Sequence, residues 1–374
     1  MLHIYKTYYP DTVGGIEQVI FQLARGSSIL GVDTSVLSTT PNKVPRMVQI
    51  DGHKIFKCRR NFKFASTDIS LSFIWQFKKL LKDVDIVHYH FPWPFMDMVH
   101  MVLNHKKPSL VTYHSDIIKQ RILLKLYAPF RDRFLKSVGA IVATSPNYLV
   151  TSALLQRYQN NIEVIPIGLD RKLYPLIDVE RSKYWRKNLG DKFFLFIGVL
   201  RYYKGLNILL DALALGDLPT VIIGAGPTEY ELKVKAESLG LKNITFLGRV
   251  SEEDKVAILD LSYAMVFPSN LRSEAFGISL LEGAMFGKPM ISSEIGTGTS
   301  FINIDQQTGI VVLPSSPKDL HLAMMYLWNN PDVSARMGHN AAARFEKLFT
   351  ADKMCQSYKV LYRRLFDEKS KEFK

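Results

Sequence analysis

Two glutamates, Glu274 and Glu282, flank a glycine, Gly277, that stands just before an apolar run of helical character. On one continuous helix they would lie about 80° apart around the axis and about 12 Å apart along it. Gly277 instead sets the helix start near Ile278, with Glu274 on the entering loop and Glu282 in the second turn. A helix N-terminus offers unpaired N–H groups and the positive end of the peptide dipole, which suits a phosphate. Carboxylates beside it accept hydrogen bonds from hydroxyls. A ligand that carries both groups is a nucleotide sugar.

Further candidates follow predicted strands. Gly14-Gly15-Ile16-Glu17 lies after the first strand and opens a helix, so its backbone can approach a ligand or simply turn the chain. Tyr113-His114-Ser115-Asp116 ends a strand, where open α/β sheets collect ligand-binding residues. His114 there either meets a hydroxyl or is a structural histidine. In Gly198-Val199-Leu200-Arg201-Tyr202-Tyr203-Lys204-Gly205 two cations follow a strand-ending glycine, as a diphosphate requires, or they are solvated charges. Gly248 and Val250 end another strand and could present backbone to a base. Gly296-Thr297-Gly298-Thr299-Ser300 could cradle phosphate but lacks the lysine of a P-loop. A metal reading is poor. His88 and His90 share a strand face without a nearby carboxylate, and Asp83-Val84-Asp85 precedes its strand.

The elements that hold these residues alternate between buried strands and amphipathic helices. Strands are expected at 84–88, 109–113, 140–145 and 162–165, and a helix at 16–30 whose Ile16, Val19, Ile20, Leu23 and Ala24 form one face. After the turn-rich Pro166-Ile167-Gly168-Leu169-Asp170 the alternation restarts, with strands at 193–199, 220–223, 244–247, 264–267, 289–293 and 309–312. The pattern predicts two Rossmann-like α/β domains with parallel sheets. The expected division is 1–170, 171–355 and a terminal segment 356–374.

With 374 residues the chain is long enough for two cores. No apolar run reaches the ~18–20 residues of a membrane span, and MLHIYKTYYP has no secretory pattern. Two cysteines, Cys58 and Cys355, fit free thiols in a reducing cytosol. The first 170 residues carry 21 Lys/Arg against 12 Asp/Glu, the remainder 27 against 23. The basic half suggests an anionic partner, or ordinary solubility charge. Residues 117–138 place Lys119, Arg121, Lys125, Arg131, Arg133 and Lys136 among apolar side chains, with Asp132 the one acid. That stretch reads as a helix lying on an anionic membrane surface, or as a core helix with a basic face. Pro129 is expected to kink or split it.

Gly14-Gly15-Ile16-Glu17, the histidine of Tyr113-His114-Ser115-Asp116, Pro166-Ile167-Gly168-Leu169-Asp170, Lys204-Gly205 and the spacing from Glu274 to Glu282 together resemble a family 4 glycosyltransferase of the GT-B fold. Tyr202-Tyr203-Lys204-Gly205 with Gly296-Thr297-Gly298-Thr299-Ser300 is most similar to bacterial mannosyltransferases of O-antigen and related polysaccharides. The resemblance implies two Rossmann-like domains facing a deep interdomain cleft, acceptor on the N-terminal side and donor on the C-terminal side. It implies that Arg201 and Lys204 bind the diphosphate below Gly198, that Glu282 accepts from the ribose and that Glu274 lies by the transferred sugar. Phe276, Gly277 and Ile278 would offer N–H groups, His114 would reach the sugar, and Gly14 and Gly15 would approach the phosphates. Val199 stands where the family commonly has arginine, so Lys204 is the firmer cation.

The implied activity is retaining transfer of a hexose, mannose from GDP-mannose, without a metal or other cofactor. The implied acceptor is an undecaprenyl-diphosphate-linked saccharide at the inner face of the cytoplasmic membrane, with no nucleic acid involved. Rival readings are a UDP-sugar-dependent transferase, a sugar-nucleotide epimerase of the same fold, and a non-enzymatic basic protein that binds membrane or nucleic acid. The absence of GxGxxG argues against a nicotinamide-dependent enzyme.

Overall fold

The computed structural model describes residues 1–42, 47–64, 67–117 and 121–371, the side chains of Arg121 and Ile122 excepted. The chain forms two units, Met1–Leu169 with Ala351–Lys374, and Asp170–Thr350.

The first unit contains β1 (Leu2–Ile4), β2 (Ser35–Thr40), β3 (Met47–Ile50), β4 (His53–Arg59), β5 (Phe62–Phe64), β6 (Thr67–Ile69), β7 (Val87–Phe91), β8 (Ser109–Tyr113), β9 (Ala140–Ala143) and β10 (Ile162–Val164). Eight of these make one sheet in the order β10-β9-β8-β7-β1-β2-β4-β3. It is parallel apart from β3, which runs antiparallel to β4. The strands β5 and β6 pair separately. Strands β7, β8 and β9 are buried at every position, as expected of parallel strands covered on both faces.

The second unit contains β11 (Phe194–Ile197), β12 (Thr220–Ile223), β13 (Ile244–Gly248), β14 (Ala264–Phe267), β15 (Met290–Ser293) and β16 (Gly309–Val312). They form an all-parallel sheet in the order β13-β12-β11-β14-β15-β16. The chain winds outward from β11 to one edge, returns, and winds to the other. This doubly wound order opens a ligand crevice at the C-terminal ends of β11 and β14, where the winding reverses. The helix Leu206–Leu213 buries Leu206, Leu209, Leu210 and Leu213 in the core beside Phe194 and Val266. That i, i+3, i+4, i+7 spacing makes a single apolar stripe.

Several expectations are corrected. The strand expected at 84–88 runs from Val87 to Phe91, and Asp83 and Asp85 are exposed ahead of it. The strands β2 to β6 were not anticipated. Pro129 does not split its helix, which is continuous over Arg121–Ser137, since a proline deletes only one backbone donor. Lys119 lies outside the described residues.

The final helix, Ala351–Lys371, belongs to the first unit and starts five residues before the expected 356. The Ala351 N–H donates to the Leu169 carbonyl at 3.0 Å, and the Cys355 thiol lies 3.6 Å from the Gln22 carbonyl. Both cysteines are free and buried. No described helix is long and apolar enough to cross a membrane.

Candidate active site

In the second unit, a 3-10 turn at Tyr202–Lys204 links β11 to the Leu206–Leu213 helix through Gly205. Gly205 has φ +69°, and a Cβ on it would lie 1.9 Å from the Pro268 carbonyl oxygen. Only glycine allows the segments after β11 and β14 to approach this closely. The approach brings the Lys204 ammonium to 2.5 Å from the Glu274 carboxylate, both side chains being 11% exposed. The Ser269 hydroxyl donates to the same Glu274 oxygen at 3.2 Å, and the ammonium sits 4.8 Å from the centre of the Phe267 ring. Gly198 lies beneath it, since a Cβ there would be 3.6 Å from Lys204 Nζ. Three of the expected residues, Gly198, Lys204 and Glu274, thus converge at the point where the winding reverses.

Gly277, with φ +100°, caps the helix Ile278–Met285 without a side-chain cap. Its carbonyl accepts from the Leu280 and Leu281 N–H groups. The Phe276 side chain is buried and packs against Phe349, so Phe276 can offer a ligand only its backbone. Glu282 is 4% exposed one turn further on. Its Oε1 accepts from the Tyr174 hydroxyl and the Lys255 ammonium, each at 3.0 Å. Burial alone would lower the Lys255 pKa, but the Glu282 and Glu252 carboxylates outweigh it and hold the ammonium above the usual lysine value. Tyr174, Lys255 and Ser269 were not anticipated. None lies in a recognisable motif, and only the fold brings them to the glutamates.

The remaining expected residues of this unit lie apart from that pair. The Arg201 side chain is exposed and hydrogen-bonds the Tyr203 hydroxyl. Burial and then Glu274 raise the Tyr203 pKa against the pull of the two cations. Gly248 ends the edge strand β13, its carbonyl bound to the Gly224 N–H at 2.7 Å, and Val250 is half-buried beyond it. In the loop from Gly296 to Ser300 two of the backbone donors are already taken, the Gly296 N–H by Glu294 and the Gly298 N–H by the Ala275 carbonyl. Arg272 donates to the Gly296 carbonyl at 2.7 Å. The loop braces the segment that carries Glu274 and Gly277.

In the first unit His114 follows β8 and is 5% exposed. Its Nε2 lies 2.9 Å from His90 Nδ1, and His90 Nε2 lies 3.1 Å from His3 Nδ1. Burial pushes the His114 pKa down to about 3, so its imidazole is neutral. Gly14 and Gly15 open the helix Gly15–Ile29, but the Glu17 carboxylate folds back over Gly14, 2.6 Å from where a Cβ would stand. That N-terminus already has an anion beside it.

His3, absent from the sequence argument, joins His88 and His90, with one nitrogen of each within 4.8 Å of the others. Their geometry does not suit a metal. Both His88 nitrogens are hydrogen-bonded, to Tyr362 at 2.8 Å and Thr112 at 2.7 Å, and both His90 nitrogens face other imidazoles. The His88 and His90 rings are stacked at 4.4 Å and 24°, so their in-plane lone pairs run side by side and do not converge on one point.

Comparison with known proteins agrees with this geometry. Residues 13–173 match the model described as Glycosyltransferase Family 4, and residues 180–344 match Glycosyl transferases group 1. The D-rhamnosyltransferase WbpZ of Pseudomonas aeruginosa is 58% identical over 94% of this chain and 92% of that protein. The O-antigen chain mannosyltransferase C of Escherichia coli is 50% identical over 99% of this chain and all of that protein. Among solved structures, the sucrose-phosphate synthase of Thermosynechococcus elongatus shares the fold, with a TM-score of 0.81 at 19% identity, covering 98% of this chain and 99% of that one. Paired Rossmann-like units, a lysine–glutamate pair where the sheet order reverses and full-length likeness to these enzymes agree: the chain belongs to the family 4 glycosyltransferases and has the GT-B fold.

Proposed function

We propose that the protein transfers mannose from GDP-mannose, with retention of configuration, onto a lipid-linked saccharide in O-antigen or related polysaccharide synthesis. The observation that carries this reading is the Lys204–Glu274 pair beside the open N-terminus of the Ile278–Met285 helix. It is supported by the naming of a 50% identical relative as an O-antigen chain mannosyltransferase. Lys204 and the helix N-terminus bind the diphosphate and stabilise its charge as it leaves. Arg201 adds charge at the rim. Glu282 accepts from the ribose hydroxyls and Glu274 lies against the sugar. Gly248 and Val250 offer backbone to the base. His114 supplies a hydrogen bond to the sugar. The acceptor hydroxyl forms the new bond to the anomeric carbon on the face from which the nucleotide departs. The departing phosphate takes the hydroxyl proton. The protein's share is positioning and electrostatics, and no metal is needed.

The acceptor is an undecaprenyl-diphosphate saccharide, met at the inner face of the cytoplasmic membrane through the helix Arg121–Ser137. Leu126 and Phe130 on that helix are 69% and 51% exposed, and Val102 nearby is 77% exposed. Met98, Met101, Val102, Pro129, Phe130 and Arg133 line one apolar groove, with Lys125, Arg133 and Lys136 exposed on the same helix. Apolar side chains ringed by cations suit an anionic bilayer. The expected result is binding to anionic vesicles that weakens with salt, is lost in Phe130→Asp and is absent for neutral vesicles. Equal binding of the variant would remove the helix from the reading.

One observation favours a second donor. The 58% identical relative is named a D-rhamnosyltransferase, and D-rhamnose is mannose without its 6-hydroxyl. Incubation with GDP-mannose, its 6-deoxy analogue and UDP-glucose, followed by linkage analysis on a polyprenyl-diphosphate-linked saccharide, separates these. A site that hydrogen-bonds the 6-hydroxyl rejects the deoxy sugar by orders of magnitude. Failure of every donor to react would sink the proposal.

A further inference from the structure

Four histidines line one face of the central sheet of the first unit. Parallel pairing puts His3 of β1 directly beside His88 of β7. His90 is two residues beyond His88 and lies beside Thr112 of β8, and His114 is two residues beyond Thr112. The two-residue period turns all four imidazoles to the same side. His3, His88 and His90 are fully buried. The final helix covers this layer: Tyr362 bonds His88, and Tyr358 bonds Thr112 at 2.6 Å.

Three of these rings form a chain in which every proton position depends on its neighbour. One hydrogen lies between His3 Nδ1 and His90 Nε2, and one between His90 Nδ1 and His114 Nε2. Burial holds His3 and His114 down to about 3 and His90 well below the usual value, so all three are neutral and each carries one N–H. Only two arrangements satisfy both contacts. In one, His3 donates to His90 and His90 to His114, which leaves the His114 hydrogen on Nδ1. In the other the direction reverses and the His114 hydrogen sits on Nε2.

The far end of the chain decides between them. His3 Nε2 is buried with no hydrogen-bond partner. The reversed arrangement would seal an N–H there, whereas the first leaves only a bare lone pair. Orphaned buried N–H groups are the rarer of the two in folded proteins, because a stranded donor forfeits its full hydration. We infer that His3 and His90 are positioning residues that hold His114 in its Nδ1–H tautomer. His114 Nδ1 is then a fixed hydrogen-bond donor, with no partner of its own among the described residues. The tautomer stands on this geometry. Its consequence, a donor aimed at an oxygen of the transferred sugar, rests on the function proposed above. The arrangement is the second-layer control by which a hydrogen bond at one ring nitrogen sets the other.

The test uses the full-length enzyme labelled with nitrogen-15 histidine at pH 7.5. Long-range proton–nitrogen correlation reads each tautomer, and His114→Gln assigns the His114 signals. The expected pattern is a protonated Nδ1 and a bare Nε2 for His3, His90 and His114. A hydrogen on His114 Nε2, or a charged His114 ring, would overturn the inference whatever the activity.

Two variants then separate positioning from packing. His90→Asn keeps an N–H donor toward His114 and should retain the tautomer, with kcat/KM within about threefold of the wild type. His90→Leu removes the donor and should give mixed His114 tautomers, with kcat/KM lowered at least about tenfold. If the tautomer is as assigned and is lost in His90→Leu while kcat/KM is unchanged, the sugar-contact role of His114 fails, and the hold of His90 on the tautomer stands. Equal loss in both variants would mark His90 as a packing residue and refute the positioning role.

Discussion

Replacing Lys204 with methionine should separate its structural role from its chemical one. Its ion pair with Glu274 is 2.5 Å long with both side chains 11% exposed. That lies between surface pairs, worth about 0–1 kcal/mol, and fully buried ones, whose disruption costs about 3–5 kcal/mol. Among the described residues, Lys204→Met leaves the Glu274 carboxylate with the Ser269 hydroxyl alone, so the second unit should lose about 2 kcal/mol. For a unit of this size that lowers Tm by about 4–8 °C. Glu274→Gln removes the stranded charge, so the double variant should regain most of this loss, a coupling of about 1.5 kcal/mol in a double-mutant cycle. Activity should not follow. A preorganised cation at a leaving group contributes about 10²–10³ in kcat, so turnover should fall about 100-fold in Lys204→Met and stay low in the double variant. Urea unfolding and initial rates on the same preparations read both quantities. A double variant no more stable than Lys204→Met would refute the coupling. Turnover of Lys204→Met within threefold of the wild type would refute the leaving-group role.

Other outcomes follow from the same geometry. Gly205→Ala must place a methyl against the Pro268 carbonyl at positive φ and should cost at least about 2 kcal/mol, with a lower Tm and little residual activity. Glu282→Gln should weaken GDP binding about tenfold but leave the 2′,3′-dideoxy nucleotide unaffected, as titration calorimetry would show; equal weakening of both would remove the ribose role. Acid should destabilise the first unit well above the carboxylate range. Burial depresses His3, His88, His90, His100 and His114, so below pH 6.5 the unfolded chain takes up protons that the folded chain refuses. This stability is complete above pH 6.5 and is lost as pH falls, toward about 3 for His3, His100 and His114, by at most roughly 1.4 kcal/mol per pH unit for each histidine. Urea midpoints should drop steeply from pH 7 to pH 5, and a flat profile would contradict neutral imidazoles.

Much of the fold was legible because parallel strands buried on both faces are written as short apolar runs. Phe194–Ile197, Thr220–Ile223, Ala264–Phe267 and Gly309–Val312 all read this way. The strand Ser35–Thr40 did not, because Ser38, Thr39 and Thr40 are polar. They are nonetheless buried, and Thr39 donates to the Lys6 carbonyl and to Asp68. A hydroxyl satisfied by a distant partner is invisible to a pattern of apolar residues. The Gly-rich loop from Gly296 shows a related effect: its composition suits phosphate, yet the N–H groups of Gly296 and Gly298 are spent on Glu294 and Ala275.

The chemistry divides along the same line. Residue types and local spacing alone determined that Glu274 stands before a helix that starts at Ile278, that Glu282 lies in its second turn, and that Lys204-Gly205 follows a strand. Those are short-range facts, set by glycine, helical period and strand ends. Only the tertiary structure decided that Lys204 meets Glu274, that Lys255 and Tyr174 hold Glu282, and that His3 reaches His114 through His90. Each of these contacts joins groups far apart in sequence. Strand order and register set them, and neither is encoded by the residues near any one contact.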